Sequence, residues 1–114
     1  MNLLTGEQRD HLLKNGAASA AGEGGDFPPV VKLFTPDAGA TWLLSEIDPD
    51  DPDTAFGLCD LGLGFPEIGS VSLSEIAAVR GKLRLPVERD GSFKGDKPLS
   101  EYARLPRAEG AIFA

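Results

Sequence analysis

The stretch VVKLFTPDAGATWLLSEI, residues 30–47, decides the fold of this chain. Its two ends, residues 30–34 and 41–47, are rich in Val, Ile, Leu, Phe and Trp, which favour β-strands. The segment TPDAG between them has the composition of a turn, so the stretch predicts a β-hairpin. Both faces of the second strand begin with apolar residues. We therefore expect this strand to be central and Trp42 to lie in the core.

Helices are predicted at three places around this hairpin. A capping-box pattern at Thr5 predicts a short helix that ends near Gly16. The Gly- and Ala-rich residues 16–26 that follow are expected to form a flexible tether. A second capping pattern at Ser72 opens another helix, and Pro98 is well placed to begin a short final helix.

Two further strands are predicted at residues 56–61 and 67–72, with a glycine-rich turn at 62–66 between them. The order of these elements predicts an α+β fold, with an antiparallel sheet of about four strands and helices packed on one side. At 114 residues, the chain is expected to form a single domain over residues 1–114.

The charges of the chain are segregated along the sequence. The net charge is −7, and residues 33–79 contain no Lys or Arg. That base-free stretch carries nine carboxylates: Asp37, Glu46, Asp48, Asp50, Asp51, Asp53, Asp60, Glu67 and Glu75. Nucleic acid and anionic membranes repel an acidic surface, so a basic protein is the expected partner.

Cysteine usage and hydropathy narrow the class of protein further. Cys59 is the single cysteine, so one chain holds neither an internal disulfide nor a cysteine-based zinc cluster. The apolar runs are short, and the first residues lack the pattern of a secretory signal. A cytoplasmic protein with no cofactor is therefore expected.

The sequence DPDDPD, residues 48–53, is the sharpest local feature of the base-free stretch. Asp48 and Asp51 precede prolines, which favours extended backbone at both positions. The carboxylates are then expected about 6–10 Å apart along a stiff segment, a spacing similar to that of a row of phosphates. The alternative is a solvated turn whose aspartates serve solubility alone.

Catalytic and metal-binding patterns are weak in comparison. An EF-hand loop beginning at Asp48 fails, because Pro52 and Asp53 occupy its fifth and sixth positions. Loose divalent-metal binding by the aspartates, in an enzyme or regulator, stays open as an alternative. A nucleophilic pair of Cys59 and His11 lacks any third orienting group, and no catalytic residue is predicted.

Basic residues are concentrated after the base-free stretch. They are Arg80, Lys82, Arg84, Arg89, Lys94, Lys97, Arg104 and Arg107. Interleaved acids favour the interpretation that these bases partly neutralise the acidic residues of the same fold. A DNA-binding regulator that uses them is the remaining alternative.

Four segments carry a resemblance to a known family: residues 33–49, DTAFGLCDLGLG (53–64), EIGSVSLSE (67–75) and PLSEY (98–102). Together they resemble the bacterial family called domain of unknown function 2958. The resemblance implies a small protein carried on plasmids, integrative elements and prophages, where accessory factors include inhibitors of restriction or of CRISPR effectors. It implies no catalytic residue.

The functional hypothesis is therefore a non-enzymatic interaction protein of a mobile element. It would use an acidic surface that mimics nucleic acid to occupy a basic host protein, as an inhibitor of defence or DNA processing. The predicted partner-binding residues are Asp48, Asp50, Asp51 and Asp53, together with those of Asp37, Glu46, Asp60 and Glu67 that share their face.

Overall fold

A computed structural model describes residues 3–62 and 66–104 of the chain. The predicted turn at 62–66 lies partly outside the described residues, and Arg107 lies wholly outside them. The described elements, in chain order, are α1 (Gly6–Ala20), β1 (Val31–Phe34), β2 (Thr41–Asp48), β3 (Asp51–Asp60), β4 (Glu67–Ser72), α2 (Leu73–Ala78), β5 (Glu88–Arg89) and α3 (Leu99–Arg104).

The strands form one antiparallel sheet with the order β4-β3-β2-β1-β5. The predicted α+β class and the hairpin of β1 and β2 are confirmed, and β2 is the central strand. The sheet has five strands rather than about four, because β5 adds a two-residue pairing with β1. Two residues are too few to produce a detectable alternation in the sequence.

The two faces of the sheet are covered by different helices. The first face carries the buried side chains of Trp42, Leu44, Ile47 and Ala55, and the second face carries those of Leu43 and Leu58. The helices contribute Leu12 of α1 and Leu73 and Ile76 of α2 to the first face, and Leu99 and Tyr102 of α3 to the second. The prediction that the helices pack on one side of the sheet holds for α1 and α2. The short α3 lies opposite, since β2 is apolar on both faces.

A β-bulge at Ser45 keeps Ile47 on the first face. Leu44 and Glu46 pair with consecutive residues of β3, so Ser45 is an extra residue in β2. Simple alternation would place Ile47 opposite Leu44, yet both lie in the same buried cluster. Asn15 of α1 holds the bulge, because its Nδ2 donates to the Ser45 carbonyl at 2.9 Å.

The first helix is longer than its sequence pattern predicts. The expectation of a tether over residues 16–26 is corrected, because α1 continues to Ala20 and residues 16–20 are helical. Gly16 is a packing residue rather than a terminator, because a Cβ there would lie 1.8 Å from the Ile47 carbonyl oxygen. The helix instead ends at Ala20, and Gly22 beyond it has φ +78° and donates to the Ser19 carbonyl in a Schellman arrangement.

Candidate functional site

The sequence DPDDPD forms a tight reversal, not the stiff extended segment that its prolines predict. Asp48 pairs with Asp51, so Pro49 and Asp50 alone connect β2 to β3. The Asp48 carboxylate accepts a hydrogen bond from the Asp50 amide at 2.9 Å, an Asx turn that stabilises the reversal. Asp48 and Asp51 are themselves strand residues, so both keep the extended backbone favoured before proline, and the reversal is confined to Pro49 and Asp50.

Asp53 connects this reversal to the start of α2. Its carboxylate accepts hydrogen bonds from the Ser72 and Ser74 hydroxyls at 2.7 and 2.9 Å and from the Ser74 amide at 2.9 Å. These donors hold the pKa of Asp53 below its ordinary value, with the Ser72 hydroxyl contributing most. Asp53 is thus an exposed anion that also satisfies a free amide of the first helical turn.

Asp51 is held within its own strand. One carboxylate oxygen accepts from the Asp53 amide at 3.3 Å, and the other accepts from the Thr54 hydroxyl at 2.8 Å. Asp48, Asp50, Asp51 and Asp53 are all exposed. Hydrogen bonds therefore fix the orientation of three of these four carboxylates while water still reaches them.

Glu46 lies beside these aspartates, at the edge of a cavity that residues of both faces line. The bulge at Ser45 pairs Glu46 with Phe56, so both side chains are on the second face. The cavity has a volume of about 430 Å³, and its lining includes Gly16, Glu46, Asp48, Thr54, Phe56 and Ser70. We call Glu46, Asp48, Asp50, Asp51 and Asp53 the acidic tip.

The remaining predicted residues lie at the opposite end of the β2–β3 hairpin. Asp60 ends β3 and pairs with Thr41, and Glu67 begins β4. Nine residue steps along β3, at about 3.4 Å each, separate Asp60 from Asp51 by roughly 30 Å. We call Asp37, Asp60 and Glu67 the distal carboxylates, and the structure separates them from the acidic tip.

Two of the distal carboxylates point into the protein. Asp60 is only 4% exposed, and its carboxylate accepts from the Gly62 amide at 2.8 Å. Asp37 is half-buried, with one oxygen accepting from the Leu83 amide at 2.6 Å. Its Oδ1 is buried without a hydrogen-bond partner among the described residues. Both residues shape turns, whereas Glu67 is exposed.

Two basic residues of the C-terminal third pair with acids of the same third. Ion pairs join Lys97 to Asp96 at 3.3 Å and Arg104 to Glu101 at 2.6 Å. Arg80 instead donates to the Ala77 and Val79 carbonyls at the end of α2. None of these contacts involves a carboxylate of the acidic tip.

The residues considered for other chemistries are dispersed. Cys59 lies on β3 between Leu58 and Asp60, and burial raises the pKa of its thiol, whereas His11 is exposed on α1. Within residues 3–62 and 66–104, no three or more His, Cys, Asp or Glu side chains are grouped so as to hold a metal ion. The described helices also include none that is long and apolar enough to cross a membrane.

Sequence reasoning missed the residues that support the acidic tip. Ser74 and Ser72 are 21 and 19 positions from Asp53, and only the β3–β4 pairing brings them together. The capping pattern at Ser72 was a usable signal for the helix start, but not for its contact with Asp53. Phe56 lies in a predicted strand, and the bulge in β2 pairs it with Glu46.

Comparison with known proteins identifies a family for this fold. No curated protein and no solved structure shows significant similarity to the chain. Residues 3–113 match the family described as "Protein of unknown function (DUF2958)". The match covers almost the whole chain, so the protein belongs to the DUF2958 family.

Proposed function

We propose that the protein is a non-enzymatic interaction protein whose acidic tip binds a basic, nucleic-acid-binding surface of a partner protein. The observation that carries this proposal is the exposure of four aspartates at one hairpin end, with Lys97 and Arg104 paired to acids elsewhere. Clustered charge of one sign produces a field that steers an oppositely charged partner.

The cavity beside the acidic tip supports recognition of a single basic side chain. Phe56 is 37% exposed and adjoins the half-buried Glu46, with Asp48 lining the same space. An arginine of the partner would stack on the Phe56 ring while its guanidinium pairs with these carboxylates. The acidic tip thereby offers both long-range attraction and one specific contact.

The proposed biological setting is the cytoplasm of a bacterium that carries a mobile element. There the protein would inhibit a restriction, CRISPR or DNA-processing protein by occupying the groove that holds nucleic acid. Support comes from the acidic net charge and from the hydrogen bonds that orient the carboxylates before binding.

The test uses a triple variant, Asp48→Asn, Asp50→Asn and Asp51→Asn. Asn keeps the side-chain oxygen that the turn needs but removes the charge. Asp53 is left intact because it caps α2. The matched control, Asp10→Asn, Glu23→Gln and Glu88→Gln, makes the same change in net charge at exposed positions outside the acidic tip.

Each immobilised protein is exposed to a host lysate and then eluted with increasing salt. We expect the wild type and the control to retain a basic protein that salt or added DNA releases, and the tip variant to lose it. Equal retention by the tip variant, or retention that salt does not weaken, would refute the proposal.

A further inference from the structure

The two edges of the sheet differ in how they are protected. The edge strand β5 has only two residues, and short edges rarely recruit another strand. At the opposite edge, β4 has six residues and pairs with β3 in a continuous register without a bulge. Its sequence EIGSVS contains no Lys, Arg or Pro, the residues that commonly block edge pairing. In the described part of the chain, β4 pairs with β3 alone.

A notch on the first face lies directly beside this edge. Gly57 and Gly69 are cross-strand partners, so neither β3 nor β4 places a side chain there. A Cβ added to Gly69 would meet no atom within 4 Å. Two cavities of about 400 and 460 Å³ adjoin the notch and share Cys59, Leu61, Ser70 and Val71 in their linings. There is room for side chains of an additional strand.

Apolar groups beside this edge are left in water. Leu61 is 58% exposed and borders both cavities, and Ile68 on the second face is 43% exposed. A strand added to β4 would project alternate side chains toward the two faces. One set would fill the notch at Gly69, and the other would cover Ile68.

Carboxylates border both cavities and define the chemistry of the occupant. Glu67 lines the cavity at the start of β4, and Glu75 lines the one beneath α2, and both are exposed. We propose that β4 binds an extended segment of a partner protein by strand addition, with an apolar side chain in the Gly69 notch and Lys or Arg side chains beside it.

Charge selects this occupant over a second copy of the chain. Two copies would each bring a net charge of −7 and set their own Glu67 and Glu75 against the same edge. A basic segment instead neutralises these carboxylates. This binding surface is separate from the acidic tip, so it stands or falls independently of the proposed function.

The single cysteine and the single tryptophan are built-in reporters, since Cys59 lines both cavities and Trp42 lines one. The probe is an acetylated, amidated peptide of sequence Lys-Ile-Val-Ile-Lys-Thr, which places Val between two Lys on one face of a strand. We expect it to shift Trp42 fluorescence and to slow Cys59 alkylation about tenfold at ten times its dissociation constant. The control peptide carries Glu in place of both Lys, and we expect no protection from it.

N-methylation of alternate peptide residues distinguishes strand addition from simple apolar contact. One set of amides faces β4 and the other faces solvent, so methylating one set should abolish protection and methylating the other should preserve it. Equal effects of the two sets, equal protection by the Glu peptide, or no protection by the Lys peptide would overturn the proposal. Concentration-dependent dimerisation that protects Cys59 without peptide would overturn it in favour of a second copy.

A variant of the protein completes the test. Gly69→Val fills the notch at a position where the structure has space, so the fold should be retained and peptide affinity should fall about tenfold or more. The triple variant of the acidic tip should bind the peptide as the wild type does. Unchanged peptide affinity in Gly69→Val would refute the placement of the strand.

Discussion

The two ends of the β2–β3 hairpin use the same residue type in opposite ways. At the acidic tip, Asp48, Asp50 and Asp51 are exposed and bound only by local groups. At the other end, Asp60 is buried and accepts from the backbone of the following turn, and Asp37 is half-buried against the loop that contains Leu83.

This difference shows that the carboxylates of the base-free stretch do not form one surface. Carboxylates of the acidic tip contribute to the outward field, whereas Asp60 contributes to folding by satisfying a backbone amide. Substitutions at the two ends should therefore separate loss of binding from loss of stability.

The largest expected effect on stability comes from Gly16, which packs against the end of β2 next to the acidic tip. Gly16→Ala places a Cβ against the Ile47 carbonyl, where backbone rather than a flexible side chain must move. We expect the free energy of unfolding to fall by about 3 kcal/mol, measured by urea denaturation. Gly6→Ala is the control in the same helix, because a Cβ there meets nothing within 4 Å. A loss in the Gly6 variant equal to that in the Gly16 variant would contradict this assignment.

Removal of a buried carboxylate at the other end should have the next largest effect. Asp60→Ala leaves the Gly62 amide without its acceptor, and we expect a loss of about 1–3 kcal/mol in the free energy of unfolding. Asp50→Ala at the acidic tip should change it by no more than about 0.5 kcal/mol. Comparable losses in the two variants would remove the distinction between the two ends.

The lowered pKa of Asp53 predicts that the stability of the fold depends on pH. Because its pKa is lowered in the folded protein, its stabilising effect is complete above the ordinary value of 3.8 and disappears as the pH falls through the lowered folded value. The difference in unfolding free energy between wild type and Asp53→Asn should therefore close in acid. Urea titrations at neutral and acidic pH measure this. A difference that persists unchanged in acid would contradict the role of Asp53 as a cap.

The smallest expected effect concerns Cys59, which lies on β3 next to Asp60. Burial raises its thiol pKa above the ordinary 9.0. The rate of alkylation should reach its half-maximum at a higher pH in the folded protein than in urea. Coincident pH profiles would show that the thiol is as solvated in the fold as in the unfolded chain.

Sequence patterns were sufficient wherever structure is determined locally. The turn residues between β1 and β2, the strand pattern at 67–72 and the serine cap of α2 each produced a correct prediction. The features they missed depend on contacts between distant segments. Gly16 extends a helix because it packs on Ile47, and Ser45 is a bulge because Asn15 binds its carbonyl.

The same limit applies to the candidate site. The sequence identified the aspartates of the acidic tip but left a stiff extended segment and a turn open, because an Asx turn at Asp48 is not distinguishable from an Asp-Pro spacer by composition. Glu46 was grouped with Asp37, Asp60 and Glu67, yet it lines the same cavity as Asp48, and the bulge at Ser45 pairs it with Phe56.

The bulge at Ser45 also decides which changes of length β2 can accept. Ser45 is the extra residue, so deleting it would make Leu44 and Glu46 consecutive while they still pair with Gly57 and Phe56. Ile47 would stay in the core, and only the carbonyl that binds Asn15 would be lost. A one-residue insertion without a wider bulge would instead turn Ile47 to the opposite face. The fold therefore constrains the faces of Trp42 and Ile47 more than the number of residues between them.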